Sequence, residues 1–214
     1  MLIHSHTQAA LRGLAVIFIL ALPLGLTPSA AGATGAEAGT FISSLADRAI
    51  ESLTSKDTPR GVRIKRFREL FNDHFNVRLI GRFVLGRSWR KASDAEKMEY
   101  MKLFEDLMVV TYVDRFSRFA GETLKITSTR AEKGKDSTVF SQITRPTGKP
   151  VKVLWRVRPY SESMKVLDVI VEGASMSQTL RSDFSSIIRQ NDGKVSGLIE
   201  ELRKKTVSLK ASVQ

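Results

Sequence analysis

His74 is where acid–base catalysis would have to begin in this chain. It follows Asp73 at the end of an amphipathic segment, and a histidine oriented by a carboxylate can activate a serine. The other two histidines, His4 and His6, lie in an N-terminal stretch that reads as a leader. The 214 residues contain no cysteine, so a zinc site would have to combine His74 with carboxylates alone, far from the usual ligand sets. No G-x-S-x-G elbow presents a serine nucleophile. Gly81, Gly86 and Gly121 lack the spacing of a phosphate-cradling loop. The carboxylate pairs Asp47/Glu51 and Glu105/Asp106 fall on helix faces that read as solvated. A structural or surface role is expected for His74, and no catalytic residue, metal or cofactor is expected in the chain.

Apolar side chains and positive charge are plentiful by comparison. The chain has 11 phenylalanines, and its 34 basic and 22 acidic residues give a net charge of +12. Residues Met1 to Arg12 carry a single charge, an apolar run extends from Leu14 to Leu26, and Ala31-Gly32-Ala33 forms an A-x-A site. That is the order of a secretory signal peptide, and the apolar run is shorter than the roughly 20 residues a membrane span needs. The expected layout is a signal peptide over 1–33 cleaved near Ala33, a flexible Gly/Ala-rich tail over 34–39, one domain over 40–207 and a C-terminal tail over 208–214. Such a protein is periplasmic, which suits the lack of cysteine only if its core is large enough to need no staples; about 180 residues are. Cleavage removes only Arg12 among the charged residues and leaves +11. After export no nucleic acid is met, so the positive surface points to anionic lipid headgroups, a membrane surface or an acidic protein face.

The elements that must position any site follow from periodicity. Residues 40–120 and 175–207 have helical spacing, and 121–172 alternate as strands. Phe41, Ile42, Leu45, Ala49, Ile50 and Leu53 share one helix face, which Asp57-Thr58-Pro59 ends. Two further segments, Val62–Asp73 and Asn76–Leu85, group Phe67, Leu70 and Phe71, then Val77, Ile80, Phe83 and Val84. Ser93 and Glu96 form a capping box that opens the longest helix, which continues through Phe104, Met108 and Tyr112 to Phe119 and stops at Gly121. Four strands are expected at Leu124–Arg130, Ser137–Arg145, Pro150–Arg158 and Met164–Val171. Their hairpin-length connections make an antiparallel meander. The last of these strands is apolar on both faces, so it needs cover on both. Helices near Ser177–Gln190 and Val195–Leu209, joined by Asn191-Asp192-Gly193, complete an α+β fold.

Several large apolar residues sit on elements that should converge: Phe83, Phe104, Met108 and Tyr112 on helices, Val153, Trp155, Val169 and Val171 on strands, and Met176 at the last strand-to-helix junction. With Trp89 they either fill an ordinary core or line a cavity. Arg87 and Arg90 flank Trp89. They either contact a headgroup or partner, or lay their stems on the indole as surface residues do. Asp168, inside an apolar strand, must be hydrogen-bonded or paired if buried. An arginine, or backbone N–H groups of the Gly173–Ser175 turn, are its expected partners. Gly173 is expected to permit a bend that a Cβ would obstruct, and Ser175 or Ser177 to cap the following helix.

The stretch Val84-Leu85-Gly86-Arg87-Ser88-Trp89-Arg90-Lys91-Ala92-Ser93 resembles the "vLG-x-x-W-r-x-a-s" motif of the MlaC family, also called the toluene-tolerance auxiliary family. The likeness continues through Phe104 and Thr111-Tyr112, returns at Leu167-Asp168-Val169-Ile170-Val171-Glu172-Gly173-Ala174-Ser175, and ends with Arg181, Phe184, Gly193, Leu198 and Leu202. It spans about residues 60 to 205. The resemblance implies a non-catalytic periplasmic carrier of phospholipid. Its acyl chains would lie in an apolar cavity between a twisted four-stranded antiparallel sheet and helices from both ends of the chain. It further implies exchange with an outer-membrane lipoprotein complex and with an inner-membrane ABC transporter complex that has an MCE-type substrate-binding subunit. A hopanoid-associated branch looks similar, so a hopanoid or other terpenoid lipid is an alternative cargo. Ala174 and Leu180 depart from the residues common at those places and put the pocket's detailed shape in question. Two other classes remain in competition: a cone-shaped α+β enzyme, which needs a titratable group in its cavity, and a periplasmic chaperone or adaptor with a filled core and a basic docking face.

Overall fold

The computed structural model describes residues 30–55, 57–116, 121–146, 148–161 and 163–211. The chain runs through α1 (Ala30–Leu53), α2 (Arg60–His74), α3 (Val77–Leu85) and α4 (Asp94–Phe116). The strands follow as β1 (Thr123–Ala131), β2 (Ser137–Thr144), β3 (Val151–Tyr160), β4 (Ser163–Val171) and β5 (Ala174–Ser175), before α5 (Met176–Gln190) and α6 (Val195–Ala211). A 3-10 turn, Gly86–Arg90, links α3 to α4. The strands pair in sequence order, each antiparallel to the next, so the meander and the α+β class are as the periodicity predicts. No helix among the described residues is long and apolar enough to cross a membrane.

Among the described residues the sheet has five strands rather than four. β5 is two residues long and pairs Ala174 with Val171 and Ser175 with Ile170. No alternation can develop in two residues, so the sequence shows only a turn there. Glu172 and Gly173 both have positive φ, 49° and 86°, as the central residues of a type I′ hairpin require. A Cβ on Gly173 would meet nothing within 4 Å. The expected obstruction is absent, and the glycine is favoured by its φ alone.

Both termini of the domain also differ from expectation. Residues 34–39 are not a flexible tail but part of α1, in which Ala38 is fully buried. A Cβ on Gly39 would come within 3.1 Å of Thr129 Cγ2. The small residues let the helix lie close against β1, a role that composition alone reads as disorder. Residues 1–29 of the expected signal peptide lie outside the described residues, and 30–33 form the first turn of α1. At the other end α6 runs to Ala211, and Leu209 packs on the helical core. Most of the expected tail over 208–214 is therefore helix. The expected continuation of α4 through Phe119 lies outside the described residues.

Two apolar clusters organise the interior. The helical one joins α3, α4, α5 and α6 around Tyr100, Phe104, Phe184 and Leu198. The second packs Ala38, Ile42 and Leu45 of α1 on Val139, Val157 and Val166 of the sheet. The capping box at the start of α4 is formed. The Ser93 Oγ accepts from the Glu96 N–H at 3.2 Å, and Glu96 Oε2 accepts from the Ser93 N–H at 2.8 Å. Glu105 and Asp106, expected to be solvated, instead hold Arg68 between them at 2.5 and 2.6 Å and tie α4 to α2.

Candidate functional site

An apolar cavity of about 290 Å³ lies where the two clusters meet. Leu45, Ala49, Ile50 and Leu53 of α1 form one wall, and Phe67, Leu70 and Phe71 of α2 the next. Phe104, Met108 and Tyr112 close it from α4, Trp155, Val169 and Val171 from the sheet, and Met176 and Leu180 from α5. The indole N–H of Trp155 donates to Ser141 Oγ at 3.0 Å, so its ring meets the cavity with its polar edge satisfied. Burial pushes the Tyr112 hydroxyl above its usual pKa.

Among the described residues, Asp168 is the one charged group on that wall. It is 8 % exposed. Ser175 Oγ donates to its Oδ2 at 2.6 Å, and the N–H groups of Val169 and Ser177 donate to its Oδ1 at 3.0 and 3.1 Å. Three donors leave the carboxylate compensated without an arginine, and the N–H donors come from Val169 and Ser177 rather than from the Gly173–Ser175 turn. Ser175 is the cap of α5 and also accepts from the Gln178 N–H at 3.1 Å. The β3–β4 register explains how Asp168 reaches this place. Arg156 pairs with Asp168 and Val157 with Val166, so Leu167 is an extra residue that bulges β4. A bulge bends a strand and re-aims its side chains. Here it leaves Leu167 and Asp168 together on the seam.

A second depression, about 670 Å³ and open, runs alongside the cavity and shares Ile80, Leu167, Asp168 and Ser177 with it. Six arginines line it: Arg82, Arg87, Arg90, Arg156, Arg158 and Arg181. Arg156 and Arg158 share Asp136, at 3.0 and 2.5 Å. Those two guanidiniums, Arg158 foremost, hold the Asp136 carboxyl below its usual pKa. Arg181 lies 4.8 Å above the Phe83 ring and donates to the Phe83 carbonyl.

Of the ten apolar residues singled out from the sequence, Phe104, Met108, Tyr112, Trp155, Val169, Val171 and Met176 come together at the cavity. Phe83 and Trp89 do not. Both line the arginine groove with Arg87 and Arg90, because α3 buries Ile80, Val84 and Leu85 and leaves Phe83 38 % exposed. Trp89 stands edge-on to Tyr100 with ring centroids 6.5 Å apart. Val153 lies across from Val171 and is buried in the sheet without joining the cavity lining. The sequence reading missed the contributions of α1 and α2 to the cavity, although their apolar stripes were visible. It also missed Arg82, Arg156, Arg158 and Arg181, of which the two β3 arginines alternate with Trp155 along the strand. His74 stacks on Phe41 at 5.8 Å, and its Nδ1 lies 3.0 Å from the Leu70 carbonyl. No group of three His, Asp or Glu side chains among the described residues is placed to hold a metal.

The family model described as MlaC protein matches residues 43–204, three quarters of the chain. The chain belongs to the MlaC family. Every named wall of the cavity and every arginine of the groove falls inside the matched segment. Among solved structures, the fold is similar to that of a phospholipid-binding protein from Ralstonia solanacearum, determined in complex with a phospholipid. The two share 22% identity with a TM-score of 0.70, over 81% of this chain and 99% of the other. At that identity the likeness concerns the fold of this MlaC family member. What the two share is the overall fold.

Proposed function

We propose that this MlaC family protein is a non-catalytic periplasmic carrier of phospholipid, with acyl chain in the cavity and the phosphate headgroup toward the arginine groove near Arg87 and Arg90. One observation carries the reading: a cavity whose only charged wall group among the described residues, Asp168, is already satisfied by three donors lies beside six arginines. An amphiphile with an apolar tail and an anionic head matches both surfaces at once. Moving a bare chain of about 15 methylenes through water costs about 12 kcal/mol, at about 0.8 kcal/mol each. A water-crossing carrier must offset most of that, and an apolar enclosure is the physical means. The phospholipid seen with the Ralstonia relative supports the choice of cargo. The family's role supports exchange with an outer-membrane lipoprotein complex and an inner-membrane ABC transporter complex.

The test is to purify the chain without detergent, extract it with organic solvent and identify the extract by mass spectrometry. Phospholipid near one molecule per chain is the expected result. A stoichiometric hopanoid would redirect the cargo to a terpenoid. No lipid, with no uptake from vesicles, would overturn the carrier reading and make the cavity wall plain core.

A further inference from the structure

The arginines of the groove are not equivalent. Arg156 and Arg158 are held by Asp136, and Arg181 is spread over Phe83. Arg82, Arg87 and Arg90 form no ion pair among the described residues. Among the described residues, Asp168 is the one carboxylate on the groove lining, and its oxygens are turned to Ser175, Val169 and Ser177. The groove therefore keeps a large positive excess with three uncommitted guanidiniums, beside a wall that takes the tail. We infer that the groove selects the headgroup of the carried lipid, favouring phospholipids of net negative charge over zwitterionic ones. This inference rests on the carrier reading.

The selection works in both directions. Guanidiniums grip phosphate oxygens through paired N–H donors and stay charged at any physiological pH. A second anionic group extends that contact to further arginines. A zwitterionic head brings its own ammonium into the ring, and like charges placed together lower affinity for the wrong ligand. Phosphatidylglycerol and phosphatidylethanolamine share one phosphate and differ in that ammonium, so they isolate the effect.

Lipid-stripped full chain is incubated with vesicles containing equal amounts of these two lipids with identical acyl chains, repurified and extracted for mass spectrometry. Both lipids sit in the same vesicle, so attraction of the protein to an anionic surface raises uptake of both and cancels in the ratio. The expected enrichment of phosphatidylglycerol is about ten-fold, equivalent to 1.4 kcal/mol. It falls toward unity in the Arg82→Gln/Arg87→Gln/Arg90→Gln variant and shrinks in 0.5 M salt. Bound lipid at the vesicle ratio in the native chain would overturn the inference and leave the carrier reading standing. Enrichment that persists undiminished in the triple variant would overturn the assignment to these three arginines. Failure of the native chain to take up either lipid would remove the carrier reading and this inference with it.

Discussion

The cavity and the arginine groove share four residues and are otherwise opposites. The cavity is built from inward-facing side chains of α1, α2, α4, α5 and the sheet, and among the described residues its wall is mostly apolar, with Asp168 its one charged group. The groove is built from side chains of α3, the 3-10 turn, β3, β4 and α5, six of them arginines among the described residues. On β3 a single step along the chain passes from one to the other: Trp155 lines the cavity and Arg156 the groove. The period of two in a strand places neighbours on opposite faces. The difference teaches that two surfaces of opposite chemistry can adjoin because consecutive residues of one strand serve them in turn.

If that division holds, cavity substitutions move stability and groove substitutions move ligand preference. Phe104, fully buried beside Tyr100 in the helical core, should show the largest effect. Phe104→Ala is expected to cost about 3–5 kcal/mol in denaturant unfolding; a loss below about 1 kcal/mol would mean the cavity wall carries little of the fold. Asp168→Ala comes next. It strands the Ser175 hydroxyl and two N–H groups where water has little access, for about 2–3 kcal/mol, and an unchanged melting temperature would show the carboxylate to be idle. Ala49→Trp sharpens the contrast from the other side. In a filled core, overpacking costs about 1–3 kcal/mol, whereas a ring received by the cavity should cost less than about 1 kcal/mol and displace bound lipid. Arg87→Gln with Arg90→Gln should change unfolding stability by less than about 0.5 kcal/mol, and a larger loss would give the groove a structural role.

The smallest effect concerns acid. The folded pKa of Asp136 is lowered by Arg158 and then Arg156. Its contribution is therefore present above the unfolded aspartate value, near 3.9, and is lost as pH falls through the folded one. Between pH 5 and pH 2 the native chain should lose more stability than Asp136→Asn; equal losses would detach this ion pair from the acid response.

Periodicity read the long elements well because each buries one stripe. The capping box of Ser93 and Glu96 and the alternation of β3 needed only neighbours to interpret. The failures have a different cause. The Gly/Ala run before Phe41 looked like a tail, because the reason for its smallness is Thr129, some ninety residues away. Phe83 was grouped with Val84 and Ile80, yet the arc of α3 that is covered stops short of it. The inner stripes of α1 and α2 were recognised as apolar but not as cavity walls. A sequence pattern says which residues turn inward, whereas a cavity forms where inward-facing surfaces of two clusters fail to meet. Asp168 stood out because a charge in an apolar strand needs partners. Ser175 was expected as a helix cap and, within the Gly173–Ser175 turn, as a source of backbone N–H, whereas it is its hydroxyl that reaches the carboxylate.

The seam position of the cavity also sets the order in which it can come into being. Its walls include Leu45 to Leu53 near one end of the chain and Met176 to Leu180 near the other, with the sheet between. Closing loops of that length is entropically costly and slows folding. A chain still emerging during translation, with α5 not yet delivered, lacks a wall and encloses nothing. On the proposed carrier reading, cargo capture is thus confined to the finished molecule, and a growing chain cannot load itself on the way.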